Sequence, residues 1–257
     1  MRKGLYILPS LFTVGNLGAG FFSVISSINY NFTAAAWSIF LALVLDILDG
    51  RIARWTHMDS RFGIELDSLA DPISFGMAPA ILMYQLVLKN WGKPGIIVAL
   101  IFVVAGALRL ARFNLKTQEG DLSNYYYFSG LPIPAGASLL ASFVLLYEMF
   151  EQEITYKTMP MLMNRMPLMV KLIPLVMLVL SYLMVSNLRY SSFKKMKLTR
   201  RKSLQTTVLV VITILLIVAY PQNTLFIIIA SYVFSGIGDY ILRFYRLRRL
   251  EGRKKDE

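Results

Sequence analysis

Long apolar runs of about 20 residues recur along the whole chain and restrict its fold more than any other feature. The run LQTTVLVVITILLIVAY at 204–220, for example, contains no charged residue. A helix of about 20 residues crosses the roughly 30 Å hydrocarbon core of a bilayer. Only 16% of the residues are charged, whereas soluble domains carry about a quarter. The chain is therefore predicted to be an all-α integral membrane protein.

Turn-forming residues between the apolar runs divide the chain into separate helices. Asparagine, glycine and proline cluster at 29–31, 91–94 and 221–223, where they interrupt the apolar pattern. The pattern predicts a polytopic bundle of about eight transmembrane helices. The predicted spans are roughly 6–28, 33–54, 63–88, 95–112, 131–149, 167–187, 205–220 and 224–243.

Basic residues are distributed unevenly between the two predicted sides of the membrane. If both termini face the cytoplasm, 22 of the 27 lysines and arginines lie inside and 5 outside. Cytoplasmic loops carry such an excess, so the N-terminus, the C-terminus and the loop at 55–62 are predicted to be cytoplasmic. The net charge of +12 then indicates contact with anionic membrane lipids rather than with nucleic acid. The basic tail at 243–255 is interpreted in the same way.

Several kinds of chemistry are excluded by composition. The chain contains no cysteine, so disulfides, thiolate metal ligands and a cysteine nucleophile are impossible. It has one histidine, His57, which argues against a histidine-based triad or a histidine-rich metal site. Any metal site must therefore be built mainly from oxygen ligands.

The segment 45–76 concentrates acidic residues between two apolar runs. Asp46 and Asp49 are three residues apart, and Asp67 and Asp71 are four apart. On a helix both spacings place two carboxylates on one face, one turn from each other. The short connection at 55–62 makes the two helices antiparallel neighbours, so the pairs are predicted to face one another.

Four ionised carboxylates in one place repel one another unless cations are bound. One charge at mid-membrane costs about 2.5–3.5 kcal/mol on insertion scales. An all-oxygen ligand set favours Mg²⁺, Mn²⁺ or Ca²⁺. Two alternatives remain open: the aspartates could only join helices by hydrogen bonds, or they could line the path of a cation-coupled transporter.

Residues between the aspartates suit a phosphate-containing ligand. Gly50 and Ala53 leave one helix face without bulk, so a phosphate can approach the backbone. Gly63 opens the next helix, where free backbone N–H groups favour an anion. Arg54 and Arg61 can neutralise phosphate oxygens. Close helix packing would explain the small residues equally well.

These positions form the patterns DxxDGxxAR at 46–54 and GxxxDxxxD at 63–71. Together they resemble the signature of the CDP-alcohol phosphotransferase family, whose members transfer a phosphatidyl-type group from a CDP-linked lipid to an alcohol and release CMP. The resemblance implies two divalent cations, Mg²⁺ or Mn²⁺, and a homodimer. It further implies that the cations are held by Asp46, Asp49, Asp67 and Asp71, and that Asp71 is the base.

The acceptor alcohol is indicated by three further stretches. FGIELDSLADPISFG at 62–76, RLARFN at 109–114 and FSGLPIPAGA at 128–137 resemble the branch of the family that uses L-serine and forms a phosphatidylserine-type lipid. A serine pocket needs a cation for the carboxylate and an acceptor for the ammonium. Arg109 and Arg112 are expected to bind the serine carboxylate, and Glu65 is expected to accept hydrogen bonds from the ammonium.

Alternatives for the acceptor and for these arginines remain. Glycerol phosphate, inositol or inositol phosphate could replace serine, although dianionic acceptors call for a more basic pocket. The two arginines could also serve only as cytoplasmic membrane anchors. The lipid donor is expected to be CDP-diacylglycerol or a CDP-archaeol-type lipid.

The resemblance also divides the chain into a core at 1–190, with six spans, and a C-terminal helix pair with a basic tail at 191–257. Two polar residues of the first span match family positions beside the nucleotide, although helix–helix hydrogen bonding would also explain them. The residues expected to contact the CDP-lipid are Thr13, Asn16, Gly50, Ala53, Arg54, Arg61, Gly63 and Ser68.

Overall fold

A computed structural model describes residues 7–56, 61–118, 127–153, 166–191 and 200–253 of the chain. These residues form nine α-helices, short π- and 3₁₀-helical segments and two short strands. The helices are α1 (Ile7–Ile28), α2 (Phe32–Thr56), α3 (Arg61–Asp71), α4 (Ala78–Leu86), α5 (Lys93–Gln118), α6 (Ile133–Glu153), α7 (Met166–Val185), α8 (Arg200–Ala219) and α9 (Pro221–Arg253).

Membrane character is confirmed, and three helices are long and apolar enough to cross a bilayer. These are Ser10–Ile28, Phe32–Ile52 and Lys93–Leu115, and they coincide with the first, second and fourth predicted spans. The later apolar helices are shorter among the described residues. They are Ile133–Met149, Val170–Val185 and Val210–Ala219. A helical membrane protein is therefore the observed architecture, and the number of eight spans stays a prediction.

The third predicted span is a continuous helical segment of three parts. A π-helical stretch, Pro72–Met77, connects α3 to α4, and a 3₁₀ turn at Leu88–Trp91 follows. Pro72 has no backbone N–H and cannot continue the α-helical hydrogen bonds, so the wider turn begins there. Such π-helical turns occur frequently at functional sites. Here the turn directly follows Asp71.

Helices α1 and α2 form a tight antiparallel hairpin. The Asn31 side chain accepts a hydrogen bond from the Ala34 N–H at 3.1 Å and thereby caps the start of α2. Small residues line the contact, including Ala35 and Ala36, which are fully buried. A Cβ on Gly15 would lie 3.3 Å from the Leu45 side chain. This close approach brings the polar side chains of α1 next to the acidic end of α2.

Helices α5 and α6 complete the wall around the π-helical segment. Phe75 of that segment, Phe102 of α5 and Leu140 of α6 are almost completely buried. Helix α7 packs on α5, while α9 packs on α6. Burial of such side chains contributes about 1.5–3 kcal/mol each when it removes them from water. Inside a bilayer, close packing and dispersion replace that term.

A small antiparallel sheet was not predicted by the apolar pattern. Strand β1 (Tyr127–Ser129) precedes α6 and pairs with β2 (Arg189–Ser191), which follows α7. Gly130, at φ 82°, turns the chain from β1 toward α6, and its N–H donates to the Leu188 carbonyl at 2.8 Å. The sheet ties the end of α7 to the start of α6. Three-residue strands lie below the length at which alternation of polar and apolar residues is recognisable.

Tyr190 of β2 anchors this sheet against the last helix. Its side chain is fully buried, and its hydroxyl lies 3.4 Å from the Val233 carbonyl of α9, to which it donates. Burial raises the pKa of the Tyr190 phenol to about 12, so the phenol stays protonated at neutral pH. Gly236 of α9 faces the Tyr190 ring, which a Cβ at this position would strike.

Helix α8 is the most peripheral of the described helices. It packs chiefly on α9, and apolar side chains such as Val211, Leu215 and Val218 are exposed around it. Exposed apolar surface on all sides of a helix is typical of contact with lipid. The C-terminal pair thus attaches to the remaining bundle through α9.

Candidate active site

Three of the four predicted aspartates meet where α2 approaches α3. Asp46 and Asp49 project from the second half of α2, and Asp67 projects from α3. One carboxylate oxygen from each lies within 4.8 Å of the others. Asp49 is buried, whereas Asp46 and Asp67 are partly buried. Sequence spacing placed Asp46 and Asp49 on one face of α2, and the structure brings their carboxylates close to that of Asp67 on α3.

Asp71 lies at the junction of α3 and the π-helical segment, beside the other three aspartates. Its carboxylate interacts electrostatically with Asp46, Asp67 and Asp49, and with the guanidinium of Arg109. Within the described residues, the buried Oδ1 atoms of Asp67 and Asp71 have no hydrogen-bond partner. A buried oxygen without a partner costs about 1–3 kcal/mol or more when it carries charge. These atoms are therefore poised to accept a ligand or a proton.

The aspartate cluster could hold a divalent metal ion. Its donor set consists entirely of carboxylate oxygens, which suit hard cations such as Mg²⁺, Mn²⁺ and Ca²⁺. Mutual repulsion and burial both oppose the ionised state of these groups, and a bound cation offsets both. The Oδ1 atoms of Asp67 and Asp71, which have no hydrogen-bond partner among the described residues, would also be satisfied by a bound cation.

Helix α1 packs against both acidic helices, α2 and α3. The Thr13 hydroxyl donates to Asp49 Oδ2 at 3.0 Å across the α1–α2 contact. Asn16, one turn further, is fully buried, and neither side-chain polar atom has a partner among the described residues. Its backbone carbonyl accepts a hydrogen bond from the Ser74 hydroxyl at 3.0 Å. Thr13 thus orients a carboxylate, while the Asn16 amide stays available.

Arg109 reaches the same site from α5. It is 8% exposed, and its guanidinium carbon lies 5.4 Å from the centre of the Phe113 ring, one turn along the helix. Its Nε has no hydrogen-bond partner in the described part of the chain. A buried guanidinium beside a carboxylate and above an aromatic ring is held in place and still offers donors.

Arg112, which the sequence paired with Arg109, has a different environment. Its Nη1 donates to the Val185 carbonyl at 2.9 Å and to Asn187 Oδ1 at 3.1 Å. Val185 ends α7, so the guanidinium caps the C-terminus of that helix. Binding of serine by Arg112 stays a prediction.

Ser68 and Glu65 occupy different surroundings on α3. The Ser68 hydroxyl accepts a hydrogen bond from Asn114 Nδ2 at 3.0 Å, which links α3 to α5. Glu65 is exposed. It lies two residues before Asp67 on the same helix, which corresponds to about 200° of rotation, so its side chain faces away from Asp67. The structure therefore does not bring Glu65 into the aspartate cluster, and its contact with serine stays a prediction.

The small and basic residues between the aspartates lie on the two acidic helices. Gly50 and Gly63 are partly buried. Ala53 and Arg54 lie near the end of α2 and Arg61 begins α3, but their side chains lie outside the described part of the structure.

One neighbour of the site was missed at the sequence level. Tyr232 of α9 interacts electrostatically with the Arg109 guanidinium. It lies in an apolar run with no motif around it, and more than a hundred residues separate it from Arg109. Only the folded chain brings the two residues together.

The sequence profile of the CDP-alcohol phosphatidyltransferases matches residues 6–163, more than half of the chain. The chain belongs to this family. The CDP-alcohol phosphatidyltransferase match includes the four aspartates, Arg109 and Arg112, whereas α8 and α9 lie beyond it.

Three curated relatives support the assignment to the CDP-alcohol phosphatidyltransferases. CDP-diacylglycerol–serine O-phosphatidyltransferase of Helicobacter pylori strain 26695 is 39% identical over 91% of this chain and 90% of its own length. Archaetidylserine synthase of Methanothermobacter thermautotrophicus is 41% identical over 54% of this chain and 58% of its own length. CDP-diacylglycerol–serine O-phosphatidyltransferase of Methanocaldococcus jannaschii is 49% identical over 41% of this chain and 47% of its own length.

Proposed function

We propose that the protein transfers the phosphatidyl group of CDP-diacylglycerol to the hydroxyl of L-serine, releasing CMP and forming phosphatidylserine. The single observation that carries this proposal is the 39% identity over 91% of the chain to a relative named for that reaction. The aspartate cluster of α2 and α3 supplies a site with matching chemistry. The relative named for archaetidylserine synthesis makes a CDP-archaeol-type lipid the second donor to test.

Two divalent cations, Mg²⁺ or Mn²⁺, are proposed as cofactors. Asp46, Asp49 and Asp67 would hold them through the oxygens that converge within 4.8 Å, together with Asp71, whose Oδ1 is buried and unpartnered among the described residues. Bound divalent cations supply charge stabilisation to a pyrophosphate and to its departing phosphate oxygens. Thr13 orients the Asp49 carboxylate for this role through its 3.0 Å hydrogen bond.

Asp71 is proposed as the base that accepts the serine hydroxyl proton, on a carboxylate oxygen that holds no cation. A positioned base contributes about 10²–10⁴-fold to a rate. Transfer is then direct: the serine oxygen forms a bond to the phosphatidyl phosphorus while the bond from that phosphorus to CMP breaks, since no activated protein nucleophile is found among the described residues.

Arg109 is proposed to bind the serine carboxylate. It is the buried cation beside Asp71, so a carboxylate held there would place the serine hydroxyl near the proposed base. A planar guanidinium suits a carboxylate because two parallel hydrogen bonds can form. The remaining predicted contacts to serine, from Glu65 and Arg112, rest on the sequence alone.

The CDP-lipid is proposed to bind along α1, α2 and the start of α3. The unpartnered amide of the buried Asn16 offers a donor and an acceptor for the nucleotide. Gly50 and Gly63 leave space for the pyrophosphate. Thr13, Ser68, Ala53, Arg54 and Arg61 complete the set of proposed contacts.

The proposed membrane topology has eight spans, with both termini and the active site at the cytoplasmic face. Helix α9 has 33 residues and is thus about 50 Å long, so it exceeds a bilayer core of roughly 30 Å. Its basic end would then lie on the anionic inner leaflet. A homodimer and the division into a core at 1–190 and a C-terminal pair at 191–257 are proposed as well.

The function is tested by measuring labelled serine in extracted lipid. Purified protein would be incubated with CDP-diacylglycerol, Mg²⁺ or Mn²⁺, and one labelled acceptor at a time: serine, glycerol phosphate, inositol or inositol phosphate. We expect serine to be incorporated far faster than the others. Preferential incorporation of another alcohol would overturn the choice of acceptor, and no labelled lipid with any acceptor would overturn the enzymatic proposal.

A further inference from the structure

Asn114, the last residue of the stretch RLARFN at 109–114, contacts the helix that carries two of the aspartates. Its Nδ2 donates a hydrogen bond to the Ser68 hydroxyl at 3.0 Å. Asn114 lies on α5 and Ser68 on α3, and both residues are partly buried. A hydrogen bond that is partly shielded from water is stronger than one in water, and its loss is costly. The bond therefore ties α5 to the helix of Asp67 and Asp71.

This hydrogen bond lies on a side of α3 that close packing leaves unsupported. In the described part of the chain, α3 packs mainly on α1 and on the π-helical segment, and it is not packed closely against α5. Packing along one side of a helix still permits small rotations about the helix axis. The bond from Asn114 to Ser68 restrains such a rotation from the side of α5.

Asp67, the neighbour of Ser68, is sensitive to the rotation of α3. One of its carboxylate oxygens lies within 4.8 Å of oxygens from the two aspartates of α2, and its Oδ1 has no partner among the described residues. A helix with its side chains has a radius of about 5–6 Å, so a rotation of about 10° moves a carboxylate at its rim by about 1 Å. Ligand distances at a metal site tolerate only about 0.2 Å. A small rotation of α3 would therefore disturb a bound cation.

We propose that Asn114 is a positioning residue for the metal site: through its hydrogen bond to Ser68 it fixes the rotation of α3 and holds the Asp67 carboxylate against the two aspartates of α2. The inference rests on the proposed function, because it assumes that these carboxylates bind divalent cations. A group that directly orients a metal ligand contributes about 10–100-fold to metal affinity. Asn114 acts through one intervening residue, so its contribution is smaller.

Binding of Mn²⁺ to the metal-free protein tests the inference without any substrate. The full chain in detergent would be titrated with Mn²⁺, and free Mn²⁺ would be measured by electron paramagnetic resonance. We expect Asn114→Ala to raise the Kd about three- to tenfold, the effect of one lost hydrogen bond. Ser68→Ala should raise it equally, and it carries the test should Asn114→Ala fail to fold. The double variant should show no further increase, because both changes remove the same bond.

Turnover separates this positioning role from a direct contact with serine. Excess Mn²⁺ refills a weakened metal site, whereas it cannot replace a missing contact to the acceptor. With excess Mn²⁺, the Asn114→Ala variant should therefore regain most of its turnover, and its KM for serine should stay within about twofold of the wild-type value. An unchanged Kd for Mn²⁺ together with a raised serine KM would overturn the inference.

Ser23→Ala is the matched control, because it also removes one hydrogen bond between two helices. The Ser23 hydroxyl donates to the Ala35 carbonyl at 2.9 Å and joins α1 to α2. Ala35 lies 14 residues before Asp49, which is about 21 Å along α2. The control variant should have a lower melting temperature and an unchanged Kd for Mn²⁺.

The outcomes separate this inference from the proposed function. If the wild-type protein binds no Mn²⁺, the proposed cofactors fail and the inference fails with them. If the wild-type protein binds Mn²⁺ and the folded Asn114→Ala and Ser68→Ala variants keep its Kd, only the inference is overturned. Effects that multiply in the double variant, or an equal rise of the Kd in Ser23→Ala, would also overturn it, because they indicate a general loss of structure.

Discussion

At the scale of single residues, Asp71 differs from the other three aspartates in its surroundings. It directly precedes the π-helical turn and interacts electrostatically with the Arg109 guanidinium and with three carboxylates. The other three converge within 4.8 Å of one another in an arrangement typical of metal ligands. The difference supports separate roles for the two kinds of aspartate.

Replacement of Asp71 by asparagine separates binding from proton transfer. We expect the Asp71→Asn variant to lose about 10²–10⁴-fold in turnover, because the amide cannot accept the serine proton. Binding of CDP-diacylglycerol, measured by competition with CMP, should largely survive. Turnover near the wild-type rate would show that another group accepts the proton.

Arg112 should matter more for stability than for acceptor choice. Its replacement by alanine leaves the Val185 carbonyl and the Asn187 amide without their donor. We expect the free energy of unfolding to fall by about 0.5–1.5 kcal/mol, visible as a lower melting temperature in detergent. Lys171→Ala, at an exposed position of α7, is the control. A selective rise in serine KM without loss of stability would instead support the original serine-binding prediction.

The sequence predicted the acidic residues of the site better than its basic and aromatic ones. Helical spacing alone placed Asp46 and Asp49 on one face, because that relation is local. The contact of Arg112 with Val185 joins helices that are distant in the sequence. No periodicity within one helix encodes such contacts, so they required the folded chain.

At the scale of elements, α1 and the π-helical segment share a contact that determines where Asp71 lies. Gly20 of α1 faces Ser74, with no room for a Cβ between them. The Ser74 hydroxyl donates to the Asn16 carbonyl in the same contact. The apolar pattern predicted one span at 63–88, but it could not predict the π-helical turn, which depends on Pro72 and on this packing.

Two glycines of α1 provide a matched test of that contact. We expect Gly20→Ala to destabilise the protein by roughly 1–3 kcal/mol, because the methyl group overpacks the interface with Ser74. A methyl group on Gly18 would meet no neighbouring atom within 4 Å. Gly18→Ala should therefore be neutral or stabilise the helix by up to about 1 kcal/mol. Equal melting temperatures for the two variants would contradict the described packing.

At the scale of the whole molecule, α9 connects helices beyond the family match to helices within it. The family match covers 6–163, and α9 packs on α6 and β2. The sequence predicted the helical membrane character because apolar length is a local property. It could not predict the sheet of β1 and β2, since strands of three residues carry no distinct pattern.

Removal of bound cations is expected to lower the stability of the whole bundle as well as turnover, because the aspartate cluster joins α2 to α3. Dialysis against EDTA should abolish turnover, and Mg²⁺ or Mn²⁺ should restore it. A cation at 100 times its Kd should add about 2.7 kcal/mol to the free energy of unfolding, and Asp67→Asn should reduce this effect. Full activity and an unchanged melting temperature after chelation would contradict a metal site in the cluster.

We propose that the phosphatidyl group passes directly from CDP-diacylglycerol to serine at the aspartate cluster. Direct transfer is tested by measuring CMP release and labelled phosphatidylserine in the same reaction. We expect equal amounts of both products, formed only when serine is present. CMP release that proceeds without serine, or that exceeds the lipid formed, would contradict direct transfer.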